Sequence, residues 1–103
     1  MAEISITRQD DGRAGRYAAT IAGIAGEAEL TWRHSRPGVI DADHTFAPES
    51  MRGSGVAGAL VDRLIADARN EGLRIIPTCP YIRARYAKHP EWRDVMTEAK
   101  ELP

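Results

Sequence analysis

The chain has little sulfur and few aromatics. It holds one cysteine, Cys79, and one phenylalanine, Phe46, in 103 residues. A lone cysteine closes no internal disulfide and builds no cysteine-rich zinc site, so no metal is expected. Long apolar runs are missing too. Nothing approaches the roughly eighteen unbroken apolar residues of a membrane span, and no membrane partner is expected. There is no basic start followed by an apolar stretch of the signal-peptide kind, so the expectation is a cytoplasmic location. The length gives room for one domain around one core, residues 1–103, and excludes an enzyme with separate cofactor and substrate domains. Strong charge of either sign is also lacking. A net charge of −1 argues against bulk electrostatic binding of nucleic acid, and no nucleic-acid partner is expected.

The charge that is present is uneven. Residues 1–50 carry five basic and eight acidic side chains, a balance of −3; residues 51–103 carry nine and seven, a balance of +2. The second half is the better host for an anion. Twelve of the fourteen basic residues are arginine, the side chain shaped to fork onto phosphate or carboxylate.

No repeat, low-complexity tract or long linker divides the chain, yet its two halves have different periods. Ile4 and Ile6 alternate with polar neighbours up to Asp10-Asp11-Gly12. Tyr17, Ala19 and Ile21 alternate next, ending near Gly23. Ala28, Leu30 and Trp32 follow within Glu27 to Arg33, ending at Arg36-Pro37-Gly38. In a fourth run Ile40, Ala42, His44 and Phe46 share one face, with Val39, Asp41, Asp43 and Thr45 on the other. Four such runs separated by turn residues predict an antiparallel meander.

From Val56 the period becomes helical. Val56/Ala57, Leu60/Val61, Leu64/Ile65 and Ala68 form one stripe, and Gly72 supplies a stop. Leu73 to Ile76 then reads as a short buried strand ended by Pro77. Tyr81 to Lys88 can form a helix, broken at His89-Pro90, and Glu91 to Lys100 a last one. A strand, a helix and a second strand in succession make a right-handed unit whose two strands lie parallel. The expected fold class is α+β: a mixed, mostly antiparallel sheet with a central helix and short C-terminal helices.

Pro48-Glu49-Ser50-Met51-Arg52-Gly53-Ser54-Gly55-Val56-Ala57-Gly58 joins the predicted fourth strand to that helix. Its glycines let a ligand approach the main chain, and the unpartnered amides of a first helical turn receive anions. Val56-Ala57 stands where a Walker A loop needs Lys and Ser or Thr. Gly53, Gly55 and Gly58 match the spacing of a dinucleotide-binding turn. The next strand ends in Pro77-Thr78-Cys79-Pro80, however, with no carboxylate to hold ribose.

Arg52-x-x-Gly55-x-Ala57 resembles the acetyl-CoA motif Q/R-x-x-G-x-G/A of the GNAT acetyltransferases. The resemblance is closest to their short, single-domain branch, which shows H-T-x-V-P before R-G-x-G, then P-x-C-P, then K/R-H-P-E. This sequence has His44-Thr45-Phe46-Ala47-Pro48, Arg52-Gly53-Ser54-Gly55, Pro77-Thr78-Cys79-Pro80 and Lys88-His89-Pro90-Glu91, in that order, within residues 14–95. Ala47 stands where the branch has Val.

The resemblance implies acetyl-CoA as acyl donor and an amine acceptor, a small molecule or a protein lysine. It implies that Arg52, Gly53, Ser54, Gly55, Val56 and Ala57 hold the pyrophosphate. Thr45, Phe46 and Ala47 would pair their main chain with the pantetheine arm. The strand at Leu73 to Ile76 would splay from that of Phe46 to admit the thioester, with Cys79 at the end of the splay. Tyr86, Arg85 and Lys88 lie on the helix expected to run past the cofactor.

Several residues keep two readings. His44 is a core histidine or a general base, its ordinary pKa of about 6.5 suiting proton transfer from an ammonium. Asp41 and Asp43 fall on the opposite predicted face, away from His44. Cys79 is a small buried hydrophobe or a nucleophile carrying the acetyl group covalently. Glu49 is a cap, an amine attractor or a solvated side chain. Arg83, Arg85, Lys88 and Arg93 are a solvated face or a screen for the adenosine 3′-phosphate. Trp32 and Trp92 read as core, and His89-Pro90-Glu91-Trp92 as structural. Tyr81 and Tyr86 are acid candidates by location alone.

The expected function is acetyl-CoA-dependent N-acetyl transfer by a monomer or homodimer. The rival from another class is a non-catalytic acyl-CoA-binding or regulatory module. The resemblance to the short branch implies this rival too, since that branch is expected to lack the segments that wall the acceptor pocket in longer relatives.

Overall fold

The four period-two runs fold as the expected meander. The computed structural model describes residues 3–98. In chain order they form β1 (Ile4–Asp10), β2 (Ala14–Ile21), β3 (Ile24–Arg36), β4 (Val39–Phe46), α1 (Val56–Glu71), β5 (Arg74–Pro77) and α2 (Pro80–Lys88). Glu49–Met51 and Pro90–Val95 add two 3-10 turns. The strands make one sheet in sequence order. The first four are antiparallel, and β5 runs parallel to β4 across α1.

The long helix occupies the predicted residues because a glycine marks each end. Gly55 precedes it at φ 82° and Gly72 follows it at φ 70°, left-handed backbone that side chains resist. Its stripe of Val56, Leu60, Val61, Leu64, Ile65 and Ala68 is buried on Tyr17, Ala19, Leu30, Trp32 and Ile40 of the sheet. Each Val, Leu or Ile of the stripe contributes about 1.5–3 kcal/mol when fully buried. Gly15, paired with Trp32 in the ladder, leaves room for the indole; a Cβ there would collide with it.

Three expectations are corrected. The short strand begins at Arg74 rather than Leu73 and includes Pro77. The Leu73 N–H is used to close the helix, donating to Ala68 O at 2.9 Å, and Arg74 makes the first strand bond, to Gly38 O at 2.8 Å. The last predicted helix, Glu91 to Lys100, is a 3-10 turn over Pro90–Val95, followed by Met96 bridged to Ile75. Trp92 and Val95, three residues apart, are both buried, and that spacing suits three residues per turn. Ala99 and Lys100 lie outside the described residues. The third correction is the face of His44 and Phe46, described with the site.

All the helices and turns pack on one side. Ile82 of α2 and Trp92 and Val95 of the second 3-10 turn join the same cluster as α1 and the inward strand residues. The opposite face, carrying Gln9, Arg16, Thr31, Arg33 and Asp43, lines an open groove of about 640 Å³. The fold is thus two layers, with one bare sheet face.

Candidate functional site

Pairing between β4 and β5 ends at Ala42 and Pro77. The Cys79 N–H donates to Ala42 O at 2.9 Å, and the chain then turns into α2. Beyond Ala42, β4 keeps β3 on one side, with Phe46 opposite Glu29, and among the described residues has no strand on the other. An extended ligand can add its own main-chain bonds along such a free edge. Thr45 is on the inner face, and Cys79 Sγ lies 3.4 Å from its hydroxyl. Cys79 is 3% exposed. Phe46, at 49%, is one of two exposed large apolar side chains among the described residues; Tyr81, at the start of α2, is the other.

A bulge decides which side chains flank this edge. Trp32 pairs with Ala42 but Thr31 pairs with His44, so Asp43 is an extra residue in β4. The insertion reverses the alternation. Ile40 and Ala42 stay in the core, while His44 and Phe46 point to the bare face with Thr31 and Glu29. The predicted face shared by all four is therefore wrong, and so is the reading of His44 as a core histidine: its side chain is 55% exposed. Asp43 joins His44 on the bare face, contrary to strict alternation. Its oxygens are engaged by the Thr31 hydroxyl at 2.7 Å and by Arg33 Nε at 3.6 Å.

The neighbour of His44 comes from β3. Glu29 Oε2 lies 3.8 Å from His44 Nε2. Glu29 Oε1 accepts from Arg16 Nε at 3.3 Å and Nη2 at 3.1 Å, and the same Nη2 donates to Glu27 Oε1 at 2.9 Å. Neither Glu29 nor Arg16 stands out in the sequence. Their relation to His44 is set by cross-strand register, which no local spacing encodes.

The glycine turn follows directly. Gly53 and Gly55 have φ of 79° and 82°, and a Cβ at either would meet no protein atom within 4 Å. These glycines are required by the backbone and leave open space beside it. The Arg52 N–H donates to Glu49 O at 3.0 Å, that of Ser54 to Met51 O at 3.1 Å, and that of Val56 to Ser54 Oγ at 3.2 Å. The N–H groups of Gly53, Gly55 and Ala57 make none of these turn bonds. Amides without such partners at a helix start are groups that suit an anion. Glu49 and Arg52 are both exposed and approach each other at 3.7 Å.

The third glycine of the motif has another use. Gly58 admits the guanidinium of Arg85, which pairs with Asp62 at 3.3 Å and lies 5.8 Å from the Trp92 ring centre. Arg85 thereby clamps α2 to α1. Arg83 donates to Thr78 O at 3.1 Å. His89 stacks on Trp92 with ring centres 4.5 Å apart and meets Glu91 at 3.1 Å, contacts that hold this segment together. Tyr86, partly buried against the core, lines a second groove of about 850 Å³ with Pro77, Thr78, Arg83, Arg93 and Met96.

The free β4 edge, the glycine turn and the start of α2 therefore meet at one end of the sheet. Comparison with known proteins agrees with this arrangement. A structural neighbour is the NMR solution structure of a GCN5-like protein from Staphylococcus aureus. It is 24% identical, with 94% of this chain and 91% of that chain covered and a TM-score of 0.69, which establishes the same fold. The family model for GCN5-related N-acetyltransferases matches residues 16–95. By that match over most of its length, the chain belongs to the GCN5-related N-acetyltransferase family.

Proposed function

We propose that the protein transfers an acetyl group from acetyl-CoA to an amine. The observation that carries this reading is the stretch of β4 beyond Ala42, free of β5 and followed by a glycine turn with open space beside its backbone. The Gly53, Gly55 and Ala57 amides hold the pyrophosphate of the donor, with Arg52 and Ser54 shaping the turn and Val56 starting the helix. Thr45, Phe46 and Ala47 offer main-chain groups to the pantetheine arm, and Phe46 covers it with its exposed ring. Tyr86, near the end of α2, lines the separate groove with Pro77, Thr78 and Met96.

Acetyl-CoA supplies an activated carbonyl when bound. A main-chain N–H at Phe46 or Ala47 orients that carbonyl and stabilises the negative charge developing on its oxygen. His44, exposed beside the free edge, accepts a proton from the amine. Cys79 is buried beside the free stretch of β4. Its hydrogen-bond partner is the neutral Thr45 hydroxyl rather than a base, which favours direct attack by the amine over an acetyl-cysteine intermediate.

The bare sheet face favours a second reading, a module that binds acyl-CoA without turnover, since among the described residues no element walls an acceptor pocket there. One experiment separates the two. The protein is incubated with acetyl-CoA and a panel of amines that includes lysine peptides, and free thiol is followed. Turnover is expected. Saturable acetyl-CoA binding with no thiol release for any acceptor would identify the module instead.

A further inference from the structure

We propose that Glu29 is a positioning residue that holds His44 as the base for the acceptor amine, and that the amine arrives over the bare face of the sheet. This deepens the acetyl-transfer reading and rests on it. Three observations combine. The Asp43 bulge turns His44 out of the core beside the stretch of β4 that has lost β5. Glu29 is itself held, because Arg16 takes Oε1 through two donors and is anchored in turn on Glu27. The remaining oxygen, Oε2, faces His44 Nε2 at 3.8 Å.

The Asp43 carboxylate on this face is already engaged. Asp43 is bonded to Thr31 and approached by Arg33, so it does not compete for the imidazole. Thr31, opposite His44 in the ladder, is neutral. The groove lined by Arg16, Thr31, Arg33 and Asp43 runs along the same face and gives an acceptor a polar bed.

In the step proposed, one ammonium proton passes to the His44 imidazole. The amine nitrogen then forms the C–N bond at the thioester carbonyl. As the C–S bond breaks, the sulfur takes the electron pair and the second nitrogen proton leaves with it as thiol. His44, open to water, returns its proton to solvent. The role of Glu29 is to fix the ring and balance the imidazolium charge while it exists.

The test uses the whole chain, acetyl-CoA, and a blocked lysine peptide and spermidine as acceptor probes. Glu29→Gln is expected to lower kcat about tenfold, less than the hundredfold or more that loss of a general base costs. The KM for acetyl-CoA stays unchanged, and Glu29→Asp recovers most of the loss. His44→Ala loses more, and adding Glu29→Gln to it loses nothing further. Arg16→Gln, which frees Glu29, falls in the same direction and carries the test if Glu29→Gln does not fold. Losses that multiply in the double variant, or wild-type kcat in Glu29→Gln, would overturn the proposal while leaving acetyl transfer intact. A wild-type chain that turns over no probe and no other amine overturns both.

Discussion

Cys79 and Thr45 meet across the opening of the sheet, thiol to hydroxyl at 3.4 Å. The contact joins the segment after β5 to the free stretch of β4. If Cys79 acts through this contact alone, Cys79→Ala keeps acetyl transfer within a few-fold. Intact-mass measurement of wild type after acetyl-CoA then finds no acetyl adduct. An adduct that Cys79→Ala abolishes together with turnover would move the mechanism to a two-step transfer through the thiolate.

Gly55 ties the backbone to binding. At φ 82° a β-branched residue is strained by about 1–2 kcal/mol or more, yet its side chain would project into space that no protein atom fills. Gly55→Val is therefore expected to fold with a lowered Tm and to lose measurable acetyl-CoA affinity by calorimetry. Unchanged affinity would remove the turn from the binding site.

Tyr17 locks the sheet to the long helix. Its hydroxyl donates to Asp67 Oδ2 at 2.6 Å, and Asp67 also accepts from Arg63 at 3.1 Å. Burial, and then the bond to Asp67, hold the phenol far above its ordinary range. The folded state keeps this proton when the unfolded chain loses it near pH 10. This contribution to stability is thus full below about pH 10 and is lost as pH rises above it. Tyr17→Phe should cost about 1 kcal/mol near neutrality, since Asp67 keeps its arginines, and should flatten the alkaline fall in stability. Denaturant melts of the two proteins from pH 8 to 11 check both effects.

Much of the framework was legible because it depends on local signals. Gly55 and Gly72 bounded α1, since each adopts a left-handed φ that ends or starts a helix whatever lies around it. Period two located β1, β2 and β4, and the strand–helix–strand order required β5 to be parallel. The C-terminal segment was misread because helical propensity over Glu91 to Lys100 gave way to burying Trp92 and Val95 and bridging Met96 to Ile75.

The sequence by itself determined the α+β class, the glycine turn before a long helix, and the four motif islands that mark the family. Each is written in residues close together in the chain. Only the tertiary structure decided what surrounds the reacting end. Asp43 became a bulge because β4 had to satisfy the ladder of β3, and this alone sent His44 outward and left Thr45 facing Cys79. Glu29 and Arg16 came to His44 from other strands, and Arg85 came to Gly58 from another helix. Those relations depend on register and packing between distant segments, and a one-residue shift in register reverses every face that follows it.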